Sequence, residues 1–119
     1  MKQLDIVFPH ERLNDVNNIL YKHKVGGLMF YDIKGRGKAK HEPVEHRTVE
    51  GYATGRIYVP EFGSRTKLVV VIPDTLVNPI VQELLTTLST GSAADGKIFV
   101  KDVNEAYDIG TKQSGEAAL

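Results

Sequence analysis

Apolar and polar positions along the chain fall into short blocks, and the period within each block identifies an element. Gln3 to Phe8 (Gln-Leu-Asp-Ile-Val-Phe) is apolar and β-rich and is stopped by Pro9, which reads as a first strand. From about Arg12 to His23 the apolar residues Leu13, Val16, Ile19 and Leu20 recur at three and four, so one face of a helix is buried, and the helix ends by Gly26-Gly27. Leu28 to Ile33 is a second strand, cut off by Lys34-Gly35-Arg36-Gly37-Lys38. No sustained period follows until Gly63, a long connection for so small a domain, and such connections are usually functional or disordered.

Arg65 to Ile72 contains Leu-Val-Val-Val-Ile, apolar on both faces as a central strand is. A second helix follows, with an N-cap at Asp74 or Thr75 and a buried side made of Leu76, Val77, Ile80, Val81, Leu84, Leu85 and Leu88; Pro79 falls within or near its first turn. Ile98 to Val103 is the last long strand. The order βαβ, long loop, βαβ predicts an α+β fold, a ferredoxin-like βαββαβ sandwich with both helices on one face of a mainly antiparallel sheet. No third helix is available for the other face, so its apolar side chains predict self-association.

Composition narrows the function classes. The 119 residues make one domain, with 15 basic against 15 acidic side chains and no cysteine. A balanced charge disfavours a general nucleic-acid binder, and the lack of thiols rules out disulfides and thiolate metal sites. With no apolar run long enough to cross a bilayer and no signal peptide at Met-Lys-Gln-Leu-Asp-Ile, a cytoplasmic protein is expected.

One stretch concentrates candidate chemistry: Thr90-Gly91-Ser92-Ala93-Ala94-Asp95-Gly96-Lys97-Ile98-Phe99-Val100, a glycine-rich turn followed by a lysine and an apolar strand. Main-chain N–H groups beside a lysine suit a phosphate, although the spacing is not that of a P-loop and an Asp-Gly pair also makes an ordinary tight turn. Elsewhere, His41-Glu42-Pro43-Val44-Glu45-His46 holds two imidazoles, but their spacing is five rather than four and Pro43 opposes a helix, so no metal is assigned. Arg36, Lys38, Lys40 and Arg47 form a local basic cluster that suits phosphate or an acidic partner surface. Lys97 to Val100 is like a strand of an RNA-recognition module, yet the aromatic strand motif is missing. No nucleophile lies beside a histidine and no carboxylate pair shares an element, so no catalytic residues are assigned and the chain is read as a non-enzyme.

Several of these motifs occur together in one family. Leu13 to Leu20, Gly27-Leu28-Met29, Lys34-Gly35-Arg36-Gly37, Val70-Val71-Ile72-Pro73-Asp74, the segment Asp95 to Val100 and the ending Thr111 to Leu119 resemble, in order and over nearly the whole chain, the PII signal-transduction proteins. The resemblance implies one domain over 1–119, a homotrimer, a T-loop over about 37–63 and a C-terminal strand and tail over about 104–119. It further implies a non-enzymatic sensor with ATP or ADP in clefts between subunits, whose T-loop grips an ammonium transporter or an enzyme of nitrogen assimilation, so that any contact with a membrane runs through a protein partner. A ligand can bias a loop that it touches differently in its two states, and the loop base lies where the phosphates are expected.

Carried over by position, Gly27, Leu28, Met29 and Val71 would border the adenine. Gly35, Arg36, Gly37 and Lys38, with Ala94, Asp95, Gly96, Lys97 and Arg65, would face the phosphates. Tyr58, and second Tyr52, would be the loop tyrosines open to partner contact or modification. The chain departs from the family at several positions: Asp108 and Gly110 stand where two arginines clamp phosphate, Ala39 where a glutamine holds magnesium and 2-oxoglutarate, Met29 where a threonine is usual, Ala94 where a glycine is, Arg65 where a lysine is and Pro9 where a basic residue is. The expected magnesium and 2-oxoglutarate chemistry therefore lacks its ligands, and the alternative is a PII-like trimer that has lost 2-oxoglutarate and nucleotide sensing and acts as an interaction module or senses another small ligand.

Overall fold

A computed structural model describes residues 1–37, 44–47, 53–58 and 63–119, with side chains for 1–37 and 63–119. Six strands and two helices follow in the order β1 (Lys2–Phe8), α1 (Leu13–Lys22), β2 (Met29–Gly35), β3 (Val44–Arg47), β4 (Ala53–Tyr58), β5 (Gly63–Ile72), α2 (Asp74–Leu88) and β6 (Lys97–Asp102). The main sheet has the order β2-β5-β1-β6 with every neighbour antiparallel. This is the ferredoxin-like arrangement that the periods predicted.

Alternation along the two central strands builds the core. Leu4, Ile6 and Phe8 of β1 and Leu68, Val70 and Ile72 of β5 are buried against Val16, Ile19 and Leu20 of α1 and Ile80 and Leu84 of α2. The opposite residues of β5, Val69 and Val71, are only half-buried, and Met29 and Tyr31 of β2 and Phe99 of β6 are exposed. One face is therefore filled by helices and the other is uncovered, as two-faced packing of a four-stranded sheet with two helices requires.

Three local expectations differ from what is observed. Leu85 is half-exposed rather than buried, because it lies one residue round the helix from Leu84 and looks over the edge of β6. Pro79 is the sixth residue of α2, past the first turn, so the carbonyl of Thr75 loses its usual i+4 donor there. The unpatterned connection carries a hairpin, β3 paired with β4, whose register shifts between Glu45 and Arg47. Such a shift breaks the period-2 signal that marks a strand.

Helix α1 ends before Gly26-Gly27, as its apolar period up to His23 predicts. Lys24 takes the left-handed conformation (φ 60°), its N–H bonds to the carbonyl of Tyr21 at 2.9 Å, and the N–H of Val25 bonds to that of Leu20 at 3.0 Å. This is a Schellman end with a lysine at the position that favours glycine. Glu83 of α2 holds the same end, accepting from Lys22 Nζ at 2.6 Å and lying 2.6 Å from His23 Nε2, so the turn leading to residues 26–29 is anchored to the second helix. Lys24→Gly is expected to stabilise the fold by about 0.5–1 kcal/mol through relief of the left-handed lysine. A thermal melt raised by a few degrees checks it, and an unchanged or lowered melt contradicts it.

Candidate functional site

The residues that the sequence singles out gather at two opposite ends of the sheet. At the first end, Gly27, Leu28, Met29 and Val71 line one cleft of about 640 Å³. It lies where the turn after α1 meets the last residues of β5, and the tail returns over it with Asp108 and Glu116. At the second end, Gly35 closes β2 against Gly63, Arg36 and Gly37 follow it, Arg65 pairs across to Ile33, and Lys97 opens β6 opposite Val7. Met29 and Gly35 are six residues apart along β2, which separates the two ends by about 20 Å at the rise of a strand. Lys38, Ala39, Tyr52 and the side chain of Tyr58 lie outside the described residues.

The glycine-rich turn at the second end is a self-contained unit. Asp95 accepts hydrogen bonds from the Thr90 N–H and hydroxyl, both at 2.6 Å, and from the Ser92 N–H at 3.3 Å. These bonds, the Thr90 hydroxyl foremost, hold its carboxyl below the ordinary value of 3.8. The Ala94 N–H bonds to the Ser92 hydroxyl at 3.1 Å and the Asp95 N–H to the Ser92 carbonyl at 3.2 Å, so these groups are spent inside the turn. Gly96 has φ +127°, and a Cβ there would lie 2.0 Å from the carbonyl oxygen of Val7. The glycine is thus demanded by the approach of the turn to β1, whatever else the turn holds. Lys97 is exposed beside it, at the edge of a groove of about 210 Å³ floored by Leu84, Leu88 and Ile98.

Gly35 and Gly37 differ from Gly96 in this respect. A Cβ added at either meets nothing within 4 Å, so no contact inside the described chain requires a glycine there. Arg65 directs Nη1 to the carbonyl of Ser64 at 2.9 Å.

The tail explains the departure at Asp108. Its carboxylate accepts from the N–H groups of Gly110 at 2.9 Å and Thr111 at 3.2 Å, while its main chain bonds to Lys112 and Gln113, both at 2.8 Å. Asp108 therefore caps a turn that brings the tail back, with Tyr107 bridged to Ser114 and the Gly115 N–H on the carbonyl of Ala106. Beyond its charge, Asp108 shapes the wall of the cleft. Lys24 and Glu116 also line the cleft, and no motif in the sequence points to them, since their place depends on a helix end and a chain return that no local period marks. Among the described residues no group of three or more His, Cys, Asp or Glu side chains is placed to hold a metal.

Comparison with known proteins agrees with this fold. The family described as Nitrogen regulatory protein P-II matches residues 1–113. The chain is 31% identical over its whole length, and over the whole of the relative, to Nitrogen regulatory protein P-II 1 of Escherichia coli K12; the P-II proteins of Haemophilus influenzae and Klebsiella oxytoca follow at 31% and 30% with the same coverage. In structure it is similar to B. subtilis GlnK, with a TM-score of 0.74, 24% identity, and coverage of 99% of this chain and 97% of that one. The chain belongs to the P-II family of nitrogen regulatory proteins, which are signal transducers and not enzymes.

Replacing Gly96 by alanine is expected to destabilise the fold by about 3 kcal/mol or more, from a forbidden φ added to a clash with backbone. Gly37→Ala, with open space around it, should leave the melt within about a degree. Equal melting temperatures for the two variants would remove the role assigned to the Val7 contact.

Proposed function

We propose that this chain is a PII-type regulator that takes an adenine nucleotide in a cleft completed between copies and uses the segment 38–62 to contact its target. The observation that carries the reading is the separation of the two residue sets. One copy offers an apolar, glycine-lined cleft at Gly27 to Met29 and Val71, and about 20 Å away the cationic set of Arg36, Arg65 and Lys97. A base suits the first and phosphates suit the second, and neighbouring copies can bring unlike ends together around one ligand. The uncovered sheet face gives copies a reason to associate, and the family's trimers are the natural assembly.

Magnesium and 2-oxoglutarate are left out of this proposal. Asp108 is committed to its own turn, Gly110 has no side chain, and Ala39 offers no ligand atom. The nucleotide is therefore read as bound without the arginine clamp, and weakly dependent on its third phosphate. An ammonium transporter or a nitrogen-assimilation enzyme is the proposed target, the membrane being reached only through it. Among the described residues no helix is long and apolar enough to cross a membrane, which fits the proposed cytoplasmic location. The second reading, a trimer that has lost sensing and serves as an interaction module, is favoured by the same Asp108 turn.

Calorimetric titration with ATP, ADP and AMP, each with and without Mg²⁺ and 2-oxoglutarate, separates the readings. Nucleotide heat indifferent to 2-oxoglutarate is expected, and Gly27→Trp should weaken it about tenfold or more by filling the cleft. Gly27 has nothing within 4 Å of an added Cβ, so that variant should fold. No heat with any nucleotide would overturn the sensor reading in favour of the module.

A further inference from the structure

The cleft beside Val71 is lined by one cationic side chain among the described residues, Lys24, and by two carboxylate side chains, Asp108 and Glu116. Asp108 is occupied, because the N–H groups of Gly110 and Thr111 donate to it. Lys24 is not. Its main chain closes the end of α1, but its ammonium has no hydrogen bond or ion pair among the described residues, with Glu116 or with any other carboxylate. Its neighbours Lys22 and His23 are both held by Glu83, so at this helix end the side chain left open to a ligand is that of Lys24.

The backbone makes the residue type informative. Lys24 stands at φ 60°, the left-handed position that closes a helix and that glycine occupies at no steric cost. A lysine is strained there, and residues held in such conformations cluster at ligand sites, where the side chain has a use that offsets the strain. What a lysine adds over a glycine at this position is its ammonium, on a flexible stem beside the cleft. The same cleft is short of positive charge elsewhere: Asp108 and Gly110 stand at the two tail positions where arginines would clamp phosphate.

We propose that Lys24 holds the innermost phosphate of the nucleotide in this cleft, in place of the missing arginines. The inference rests on the nucleotide reading above and assigns a residue within it. The base lies against Gly27 to Met29 and Val71, the phosphate next to the sugar meets Lys24, and any outer phosphates extend to the cations of the neighbouring copy. A lone ammonium is a point charge rather than a bidentate fork, so it favours the presence of a phosphate and discriminates little by its substituents. Glu116, whose carboxylate also has no partner among the described residues, repels a second anionic group at the same wall. Fold and binding then make opposite demands on position 24: Lys24→Gly, which relieves the strain and raises the melt, should weaken the phosphorylated ligand.

Calorimetric titration of the full chain with adenosine, AMP and ADP tests this on wild type, Lys24→Gly, Lys24→Gln and Lys24→Arg, with a thermal melt of each. Wild type is expected to bind AMP about tenfold more tightly than adenosine. In Lys24→Gly and Lys24→Gln that preference should fall to within about twofold while adenosine binds as it does to wild type, and Lys24→Arg should retain it. A residue that only ends the helix would give Lys24→Gly a higher melt with the AMP preference intact, which refutes the proposal. Lys24→Gln keeps a side chain in the left-handed position and removes the charge, so a preference lost with glycine and kept with glutamine traces the effect to the backbone and refutes it too. A wild type that binds adenosine and AMP equally refutes the proposal alone, whereas no heat with adenosine, AMP or ADP on folded wild type refutes the nucleotide reading and the proposal with it.

Discussion

The alternation of β1 and β5 is the constraint on which the rest depends. Even-numbered residues from Leu4 to Phe8 and from Leu68 to Ile72 face two helices, and burying them supplies most of the driving force for this small domain. The same alternation sends Asp5, Lys67, Val69 and Val71 to the opposite face. A one-residue slip in either strand would exchange the two sets, placing Asp5 and Lys67 in the core. Fold, uncovered face and the placing of Val71 at the cleft therefore follow from one register.

Two backbone details turn that register into a candidate site. The Schellman end of α1, held to α2 through Glu83, fixes where residues 26–29 cross the end of β5. At the other end, Gly96 lets the 90–97 turn lie on Val7, which sets Lys97 at the start of β6. Neither device needs a ligand. Both ends of the sheet are thereby organised in advance, which lowers the ordering cost of any ligand that uses them.

Much of this was legible in the sequence because it rests on short-range periods. The four strands of the main sheet, both helices and the uncovered face follow from spacing, and the family follows from motifs in fixed order. What was not legible depends on a single competing geometry. Leu85 fits the apolar stripe of α2, but its side of the helix overlooks an edge strand. Gly26-Gly27 bound the end of α1 correctly, but the residue that makes the left-handed turn is Lys24, which no glycine preference marks. Asp95 read as part of a phosphate turn, and its carboxylate is occupied by Thr90 and Ser92. Asp108 read as a repelling charge, while Asp-x-Gly-Thr also spells the turn that it caps. In each case the residue type was seen and the partner was not.

If one nucleotide site draws its two ends from different copies, two defective chains should complement each other. Gly27→Trp blocks the cleft and Lys97→Glu reverses the charge at the opposite end, so each variant alone should fail to bind ADP. Unfolded together and refolded as mixed assemblies, they should regain binding in roughly a third of the clefts, since in a ring of three mixed copies one junction joins two intact ends. No recovery in assemblies shown to be mixed would contradict a site built between copies.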